Sequence, residues 1–361
     1  MMKFIYKITL LFLLFPLIAV ANNTGTKQEK SKVIQKEYKV NSNAKVALNN
    51  RYGNLDITTW NKNIVEIEVT ITVKGNSLES VEDKLSTIDV EFDASSSFVS
   101  AKTTFEKEQK SWSFWKKSNN LSYKINYKVK MPKTNSVDLN NDYGNIFLGD
   151  LSGKANINCD YGKITVCELS ANNNTINLDY CSSSTVSFMK TGNVNVDYSK
   201  ITIDKAEDLK VNEDYSTIKF GKVKNINFNA DYGSVSISEA ENVNGNSDYA
   251  SMRLGTIYKN LNIETDYGSV SVDRLAKGFE SVIIDGQYAG IKINVDEDAV
   301  FDFVLDLQYA GFRYDDDQIE FFKKISKSTK KYYEGKFGKG NSNARIKIRS
   351  QYGGVSIKEK F

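Results

Sequence analysis

The chain has 361 residues, with 48 basic and 45 acidic side chains and a net charge of +3 at pH 7. So balanced a composition lacks the strongly basic character that marks a nucleic-acid-binding protein. Histidine is absent, which excludes Ser-His-Asp and Cys-His catalysis and every metal site that uses imidazole.

The N-terminus has the features of a signal peptide. Lys3 and Lys7 precede an apolar run over residues 8–20, which ends in the A-x-A sequence Ala19-Val20-Ala21. We expect residues 1–21 to be removed on export, because the run is shorter than the roughly 20 apolar residues that a membrane span needs. An uncleaved anchor is the alternative. The mature chain contains no other segment that could cross a bilayer.

A strand and the first repeat are predicted within residues 22–60. This repeat contains a short motif: a polar residue, usually Asp, then Tyr, then a small residue. The motif occurs twelve times, at spacings of 17 to 21 residues from Tyr143 to Tyr309. Units this short cannot bury a core alone and must stack. The motif tyrosines are Tyr52, Tyr143, Tyr161, Tyr180, Tyr198, Tyr215, Tyr232, Tyr249, Tyr267, Tyr288, Tyr309 and Tyr352.

Residues 61–135 interrupt the repeat and are predicted to form a small α+β cap. Apolar residues alternate from Val65 to Val73 as in a strand, and residues 77–88 have one apolar helical face. Further strands are predicted from Val90 and from Tyr123 to Met131. We expect the cap to cover the first edge of the stack, because an open edge invites aggregation.

Residues 136–314 predict an all-β fold, a parallel β-solenoid of about twelve coils in the whole chain. Numbering each unit from its Tyr, columns −4 and +3 are apolar in eleven of twelve units. Period-two alternation on both sides predicts two strands per coil with a corner at the Tyr. Such coils stack about 4.8 Å apart.

Two features of the sequence around the Tyr predict details of the corner. Column +1 is always small but often Ala, Ser or Cys, which indicates crowding rather than a left-handed backbone. We infer that neighbouring Tyr rings press across it. In the coil of Tyr180 the apolar signal moves to Val186 and Phe188, which predicts a one-residue bulge.

The acidic column −1 is the main candidate binding site. Stacking would place like carboxylates about 4.8 Å apart, which is repulsive. Asx-turns could offset this repulsion, while the Asn residues of column −3 form an amide ladder. The functional alternatives are Ca²⁺ binding, although the Gly-rich nonapeptide of calcium-binding β-rolls is absent, and docking of an ordered polysaccharide. No other cofactor is expected. The candidate ligand-binding residues of this column are Asp160, Asp179, Asp197, Asp214, Asp231 and Asp248.

Aromatic residues offer a second candidate site. Trp112 and Trp115 lie among lysines in the cap insertion, where they form either part of its core or an exposed ligand-binding loop. The Tyr column itself is interpreted as structural stacking rather than a sugar-binding platform. Cys159, Cys167 and Cys181 are interpreted as small buried residues, with a Cys159–Cys167 disulfide as the alternative.

Residues 315–343 form a second, basic insertion, and residues 344–361 form the last coil. A short helix is predicted over 318–325 and a mobile loop over the Gly-rich stretch 335–340. A solvated basic loop is one interpretation of this insertion. Contact with an anionic envelope surface is the other. Its lysines are Lys323, Lys324, Lys327, Lys330, Lys331, Lys336 and Lys339.

The motifs resemble the adhesin family of exported repeat proteins from Gram-negative bacteria, with its so-called head GIN domain. The matching features are the opening coil from Asn50 to Ile57, the junction Lys130-Met131-Pro132 and the run of Asp-Tyr-Gly and Asp-Tyr-Ser coils. The resemblance covers roughly residues 40–357. It implies a β-solenoid, export to the periplasm or cell surface and an adhesive role, and it supplies no catalytic or binding residues.

The sequence therefore favours an exported, non-enzymatic protein that binds a polysaccharide or an envelope protein through a polar solenoid face. A periplasmic structural or regulatory solenoid that binds proteins is the second hypothesis. A polysaccharide-active enzyme is the third, and it is disfavoured because a uniform Asp column lacks the two different environments that a catalytic acid and base need.

Overall fold

Residues 27–106, 120–314 and 316–359 are described by a computed structural model in which strands dominate. The predicted all-β solenoid is confirmed: strands before and after each corner pair with the same strands of the next coil, mostly in parallel. The predicted signal peptide, residues 1–21, and the two tryptophans Trp112 and Trp115 lie outside these residues. Within the described ranges, no helix is long and apolar enough to cross a membrane.

The first edge of the solenoid is covered by antiparallel strands and one helix. Strand β7 pairs in parallel with β3 and antiparallel with β4, and β4 in turn pairs antiparallel with β1. Strand β6 pairs in parallel with β2 and antiparallel with β5. The helix buries Val81. The elements are β1 (Gln28–Lys39), β2 (Lys45–Arg51), β3 (Leu55–Trp60), β4 (Ile64–Gly75), α1 (Leu78–Ser86), β5 (Ile88–Ala94), β6 (Phe98–Phe105) and β7 (Ser122–Pro132).

The following coils stack in parallel, and their Tyr motifs align in register from β8 onward. In five of them one long strand bends around the coil between corners. The strands are β8 (Ser136–Asp142), β9 (Asn145–Leu148), β10 (Ala155–Asp160), β11 (Lys163–Leu169), β12 (Asn174–Asp179), β13 (Ser184–Asp197), β14 (Lys200–Asp214), β15 (Thr217–Asp231), β16 (Ser234–Asp248), β17 (Ser251–Asp266), β18 (Ser269–Leu275), β19 (Ser281–Gln287) and β20 (Gly290–Val295).

The apolar columns form the core, as their period predicts. Val211 and Phe228 of column −4 and Ile201 and Ile218 of column +3 are each at most 1% exposed. The predicted bulge after Tyr180 is also confirmed. Ser184, four residues after its Tyr, pairs with a residue only three after the next Tyr, so one extra residue is accommodated there.

The basic insertion differs from its prediction. Residues 318–325 do not form a helix: a 3-10 turn is followed by strand β23, which pairs antiparallel with β24, and β24 pairs antiparallel with β21. Strand pairing through Phe337 also removes half of the predicted mobile loop. The backbone hydrogen bonds from β23 to β24 outweigh the local helical pattern. The elements are β21 (Phe301–Gln308), β22 (Phe312–Arg313), the 3-10 turn (Asp316–Gln318), β23 (Ile319–Ser326), β24 (Lys330–Phe337), β25 (Arg345–Gln351) and β26 (Val355–Glu359).

The coil that is last in sequence is not last in space. Strand β25 pairs in parallel with β19 on one side and with β21 on the other. Tyr352 accordingly stacks between Tyr288 and Tyr309. The coil of Tyr309 and the basic hairpin β23–β24 therefore lie at the far end, as a second cap.

Candidate binding face

The twelve motif tyrosines form one continuous stack, which we call the Tyr ridge. Neighbouring ring centroids are 4.7 to 5.2 Å apart and the rings are within 9° of parallel. From Tyr143 to Tyr352 each side chain is 47 to 53% exposed, by its edge and hydroxyl. Because neighbouring rings cover each other's faces along the stack, the structural interpretation of this column is supported over that of a sugar-binding platform.

The backbone at the corner corrects one inference from the sequence. Positive φ falls on the Tyr itself, at 48 to 61° in all twelve coils. The crowding at column +1 comes from backbone and not from Tyr rings: a Cβ added to Gly144 or Gly162 would lie 1.8 or 2.0 Å from the carbonyl oxygen of the same column one coil earlier. A left-handed non-glycine residue costs roughly 1–2 kcal/mol, which ring stacking of about 0.5–1.5 kcal/mol per pair can offset.

The backbone N–H groups that follow the Tyr donate hydrogen bonds to side chains inside the corner and not to the Asp carboxylates, which corrects the Asx-turn hypothesis. The N–H of Cys181 donates to Ser199 Oγ at 2.6 Å, and the N–H of Ser199 donates to Ser216 Oγ at 2.9 Å. The N–H of Ser216 donates to Glu213 Oε1 at 2.9 Å. In these coils an inward hydroxyl or carboxyl accepts the hydrogen bond that the outward Asp was expected to accept.

Glu213 is a buried carboxyl that the sequence analysis missed. The next coil has Gly233 in column +1, so no hydroxyl is available there, and a Cβ on Gly233 would overlap Glu213 Oε1. Burial, followed by the neighbouring Asp214, Asp231 and Asp197, raises the pKa of Glu213 to about 7. Its Oε2 atom has no hydrogen-bond partner among the described residues. The sequence signal that could have found this carboxyl is a Glu in column −2 followed, one coil later, by a Gly in column +1.

Outward residues before the Tyr form what we call the polar face, made of columns −7, −5, −3 and −1 on β10 and β12–β17. Column −1 contains the predicted Asp residues, aligned in register from strand to strand and half-exposed or exposed. Partial burial, followed by the adjacent carboxylates of the column, raises the pKa values of Asp160 and Asp197. The structure therefore brings all six predicted Asp residues together in one row: Asp160, Asp179, Asp197, Asp214, Asp231 and Asp248.

Within the described ranges, no side-chain hydrogen bond or ion pair is made by these six carboxylates. The acidic column begins one coil earlier with Asp142, whose carboxylate pairs with Arg51 at 3.1 Å. No three Asp, Glu or Cys side chains in the described part of the chain are grouped so that they could hold a metal ion.

Column −3 forms the predicted amide ladder. Each Asn Nδ2 donates to the Oδ1 of the Asn one coil earlier, at 2.6 to 3.2 Å. The ladder thus ties the coils together on the outside of the solenoid, next to the acidic column. Its members are Asn140, Asn158, Asn177, Asn195, Asn212 and Asn229.

Columns −7 and −5 border an open groove of about 520 Å³ at the other side of the polar face. Two more amide ladders line it, which the sequence analysis did not single out although Asn recurs at both positions in the coils of Tyr232, Tyr249 and Tyr267. In column −7 Asn242 donates to Asn225 and Asn260 donates to Asn242, at 2.7 and 2.9 Å. In column −5 the bonds run from Asn244 to Asn227 and from Asn262 to Asn244, at 3.2 and 2.6 Å.

The three cysteines are free. Cys159 and Cys181 are buried, as predicted, whereas Cys167 is half-buried. The neighbour of Cys159 is Cys181 rather than Cys167: the Cys181 thiol donates to the carbonyl oxygen of Cys159 at 3.0 Å. Cys159 and Cys181 therefore fill the inside of two adjacent corners, where other coils have Asn, Ser or Glu.

No protein-family model and no curated protein matches this chain. Among solved structures, it is similar to a "putative adhesin" from Parabacteroides distasonis, at 10% identity over 91% of this chain and 97% of that chain, with a TM-score of 0.29. A "putative lipid binding protein" from the same organism is 12% identical over 91% and 97%, with a TM-score of 0.31. A "putative cell adhesion protein" from Clostridium sporogenes is 11% identical over 92% and 100%, with a TM-score of 0.18. Scores this low support no statement about ligands.

Proposed function

We propose that this chain is an exported, non-enzymatic binding protein of the cell envelope, adhesin-like, whose polar face is the recognition surface. Membership of the head GIN-domain adhesin family, export through residues 1–21 and a location in the periplasm or at the cell surface belong to the same proposal. The observation that carries it is the acidic column, in which six consecutive carboxylates are aligned on one face and make no side-chain hydrogen bond or ion pair within the described residues.

The energetics of this column favour a ligand. Like charges about 4.8 Å apart repel, and the raised pKa values of Asp160 and Asp197 have this repulsion among their causes. The corner N–H groups do not relieve it, because Ser199, Ser216 and Glu213 occupy them. A ligand that supplies hydroxyl donors, or that binds through a bridging cation such as Ca²⁺, would relieve the repulsion.

The geometry disfavours an enzyme. Glu213 has the raised pKa that suits a general acid, but its side chain is buried inside the corner, so a polymer on the polar face cannot reach it. The exposed Asp residues repeat one environment from coil to coil, whereas an acid and a base need two different ones.

The test is a binding screen of the exported protein against envelope and host polysaccharides, with Ca²⁺ and with EDTA. Saturable binding supports the proposal, and its loss in EDTA would place a cation between the ligand and the acidic column. The triple variant Asp197→Asn, Asp214→Asn, Asp231→Asn should weaken such binding. Asp204→Asn, an exposed carboxylate on the other half of the coil, serves as the control. Binding that is unchanged in the triple variant would remove the acidic column from the site.

A protein-binding role is the second candidate, and the far end of the solenoid favours it. Edge strand β23 exposes Phe322 at 58% and Ile325 at 40%. Exposed apolar side chains on a sheet edge are typical of surfaces that pair with another chain. Crosslinking in cells that recovers one envelope protein, lost in Phe322→Ser, together with no polysaccharide binding, would favour this role over the first.

A further inference from the structure

The amide ladders beside the groove have hydrogen-bonding capacity left over. An Asn side chain has two N–H donors and an oxygen with two lone pairs. A ladder bond on each side uses one donor and one lone pair, so Asn242 and Asn244 each keep one of each. Asn242 and Asn244 therefore each offer one donor and one acceptor to a ligand, whereas Asn260 donates to both Asn242 and Glu280 and offers only its oxygen. Asn227, Asn244 and Asn262 are exposed enough to offer them.

The groove runs along the solenoid axis and across the strands. Its lining extends from Asn173 on the coil of Tyr180 to Asn262 on the coil of Tyr267. Six coils at the strand spacing make its length about 24 Å. A ligand lying in it would meet the same pair of Asn amides in three consecutive coils, those of Tyr232, Tyr249 and Tyr267, so a chain with a repeating unit close to the coil spacing fits it best.

The central part of the groove is neutral. In the three coils from Asn225 to Asn262 both bordering columns are Asn only, and the charged residues Asp208 and Lys210 lie in one coil nearer the start. Between the two columns, Leu209, Ile226 and Val243 are 5, 4 and 3% exposed, so their side chains point into the core. An anionic polymer would find no complementary charge in this part of the groove.

We infer that this groove binds a neutral, extended polysaccharide, whose chain lies along the solenoid axis with its hydroxyls on the Asn amides of columns −7 and −5. A sugar hydroxyl is both a donor and an acceptor, which matches what Asn242 and Asn244 leave free. This inference rests on the proposed function and names a ligand class for the part of the polar face that the acidic column does not cover.

The test measures binding of soluble neutral polysaccharides, such as glucans and mannans, and of their oligosaccharides of increasing length, by calorimetry on the full chain. The double variant Asn244→Ala, Asn262→Ala removes exposed rungs of the groove. Its control is Thr217→Ala, Ser234→Ala, which removes a hydrogen bond between two adjacent coils on the strand segments that follow the Tyr, outside the polar face. Thermal unfolding of both variants shows that each is folded.

We expect a neutral polymer to bind with an affinity that rises with oligosaccharide length until the groove is filled. The groove variant should weaken this binding about tenfold, as the loss of one or two hydrogen bonds predicts, while the control changes it less than about twofold. Because no charges are involved, the affinity should hold between low and high salt.

Two results would overturn the inference. One is failure of every neutral polymer to bind. The other is an equal loss in the groove and control variants. If an acidic or Ca²⁺-dependent ligand binds and only the triple Asp variant loses it, the groove inference fails and the proposed function stands. If no polysaccharide of any kind binds, both fail.

Discussion

Val211 and Asn212 are neighbours on β14, and they face opposite sides of the sheet. Val211 is 1% exposed and packs with the same column of the coils before and after it. Asn212 lies on the polar face, where it donates to Asn195 at 2.8 Å and accepts from Asn229 at 3.2 Å. Both sides of the strand thus repeat from coil to coil, but the inner side repeats an apolar packing contact and the outer side repeats a hydrogen bond.

The inner columns hold the coils together, whereas the outer columns are free to bind a ligand. The inner columns gain stability from burial, so a change there must cost the fold. The outer Asn columns add hydrogen bonds that water can partly replace, and the acidic column adds only repulsion. Function can therefore be sought on the outer side without confusing a binding defect with an unfolded chain.

A carboxylate placed on the inner side of β14 instead of the outer side should produce the largest difference in stability. Val211→Asp buries a carboxylate without a partner and should destabilise the protein by more than about 4 kcal/mol, opening several coils. Asn212→Asp places the same side chain one residue away, outside, and should cost about 1 kcal/mol for the lost donor. Circular dichroism and limited proteolysis of the two variants make the measurement. A folded, protease-resistant Val211→Asp protein would contradict the inward assignment of column −4.

Glu213 is the exception on the inner side, and it should give the protein a pH dependence. Its folded pKa, about 7, lies above the usual value of 4.5, so the native state holds a proton that the unfolded chain has lost. Its contribution to stability is present in full below about pH 4.5, falls as the pH rises and is lost above about pH 7. The change is on the order of 2–3 kcal/mol.

Glu213→Gln should remove this dependence, because the amide oxygen can still accept from Ser216 and no longer ionises. Urea unfolding between about pH 5 and 8 should show the variant gaining stability over the wild-type protein as the pH rises. Asp160 and Asp197 are present in both proteins, so the difference isolates Glu213. Glu207→Gln, on the same strand and half-buried outside, is the control. A constant difference across this pH range would mean that Glu213 is ionised in the native state throughout.

The Tyr ridge lies between the two sides, and its contribution to the free energy of unfolding should be intermediate. Tyr215→Asn removes two stacking contacts, to Tyr198 and Tyr232, while Asn tolerates the left-handed backbone better than Tyr. We expect a loss of about 1–2 kcal/mol in denaturant unfolding. Tyr215→Phe keeps the ring and should stay within about 0.5 kcal/mol. An equally large loss in Tyr215→Phe would assign the stability to the hydroxyl instead.

The sequence predicted the regular parts of this structure because they follow from period alone. Columns −4 and +3, the amide ladder of column −3 and the bulge after Tyr180 all depend on which residues repeat, and repetition is visible in the sequence. The position of the last coil is not, since inserting β25 between β19 and β21 is a choice of chain path that leaves the column pattern unchanged.

The corner was predicted least well, because its bonds join different columns of different coils. Ser216 in column +1 replaces an Asx-turn one coil earlier, and Glu213 in column −2 compensates for Gly233 one coil later. Single-column patterns cannot show such exchanges. The groove was missed for another reason: its Asn residues fill both columns in only three consecutive coils, too few to stand out beside the acidic column.

The acidic column should give the smallest effect and the most direct test of what its carboxylates do. Asp214→Asn removes one charge between Asp197 and Asp231, and no hydrogen bond within the described residues is lost with it. Two unit charges about 4.8 Å apart in water repel by roughly 1 kcal/mol before screening. We expect the variant to be more stable by a few tenths of a kcal/mol up to about 1 kcal/mol at low salt, and equal to the wild-type protein at high salt.

The salt dependence decides between the two meanings of this column. If Asp214→Ala is less stable than Asp214→Asn by about 1 kcal/mol at both salt concentrations, the side-chain oxygen accepts a structural hydrogen bond and the Asx-turn hypothesis returns. Asn212→Ala is the reference, because it removes two ladder hydrogen bonds two residues away and its cost should not depend on the salt concentration. A repulsion that disappears with salt would mean that this chain tolerates a small instability in every coil, which a bound ligand would relieve and which folding alone does not explain.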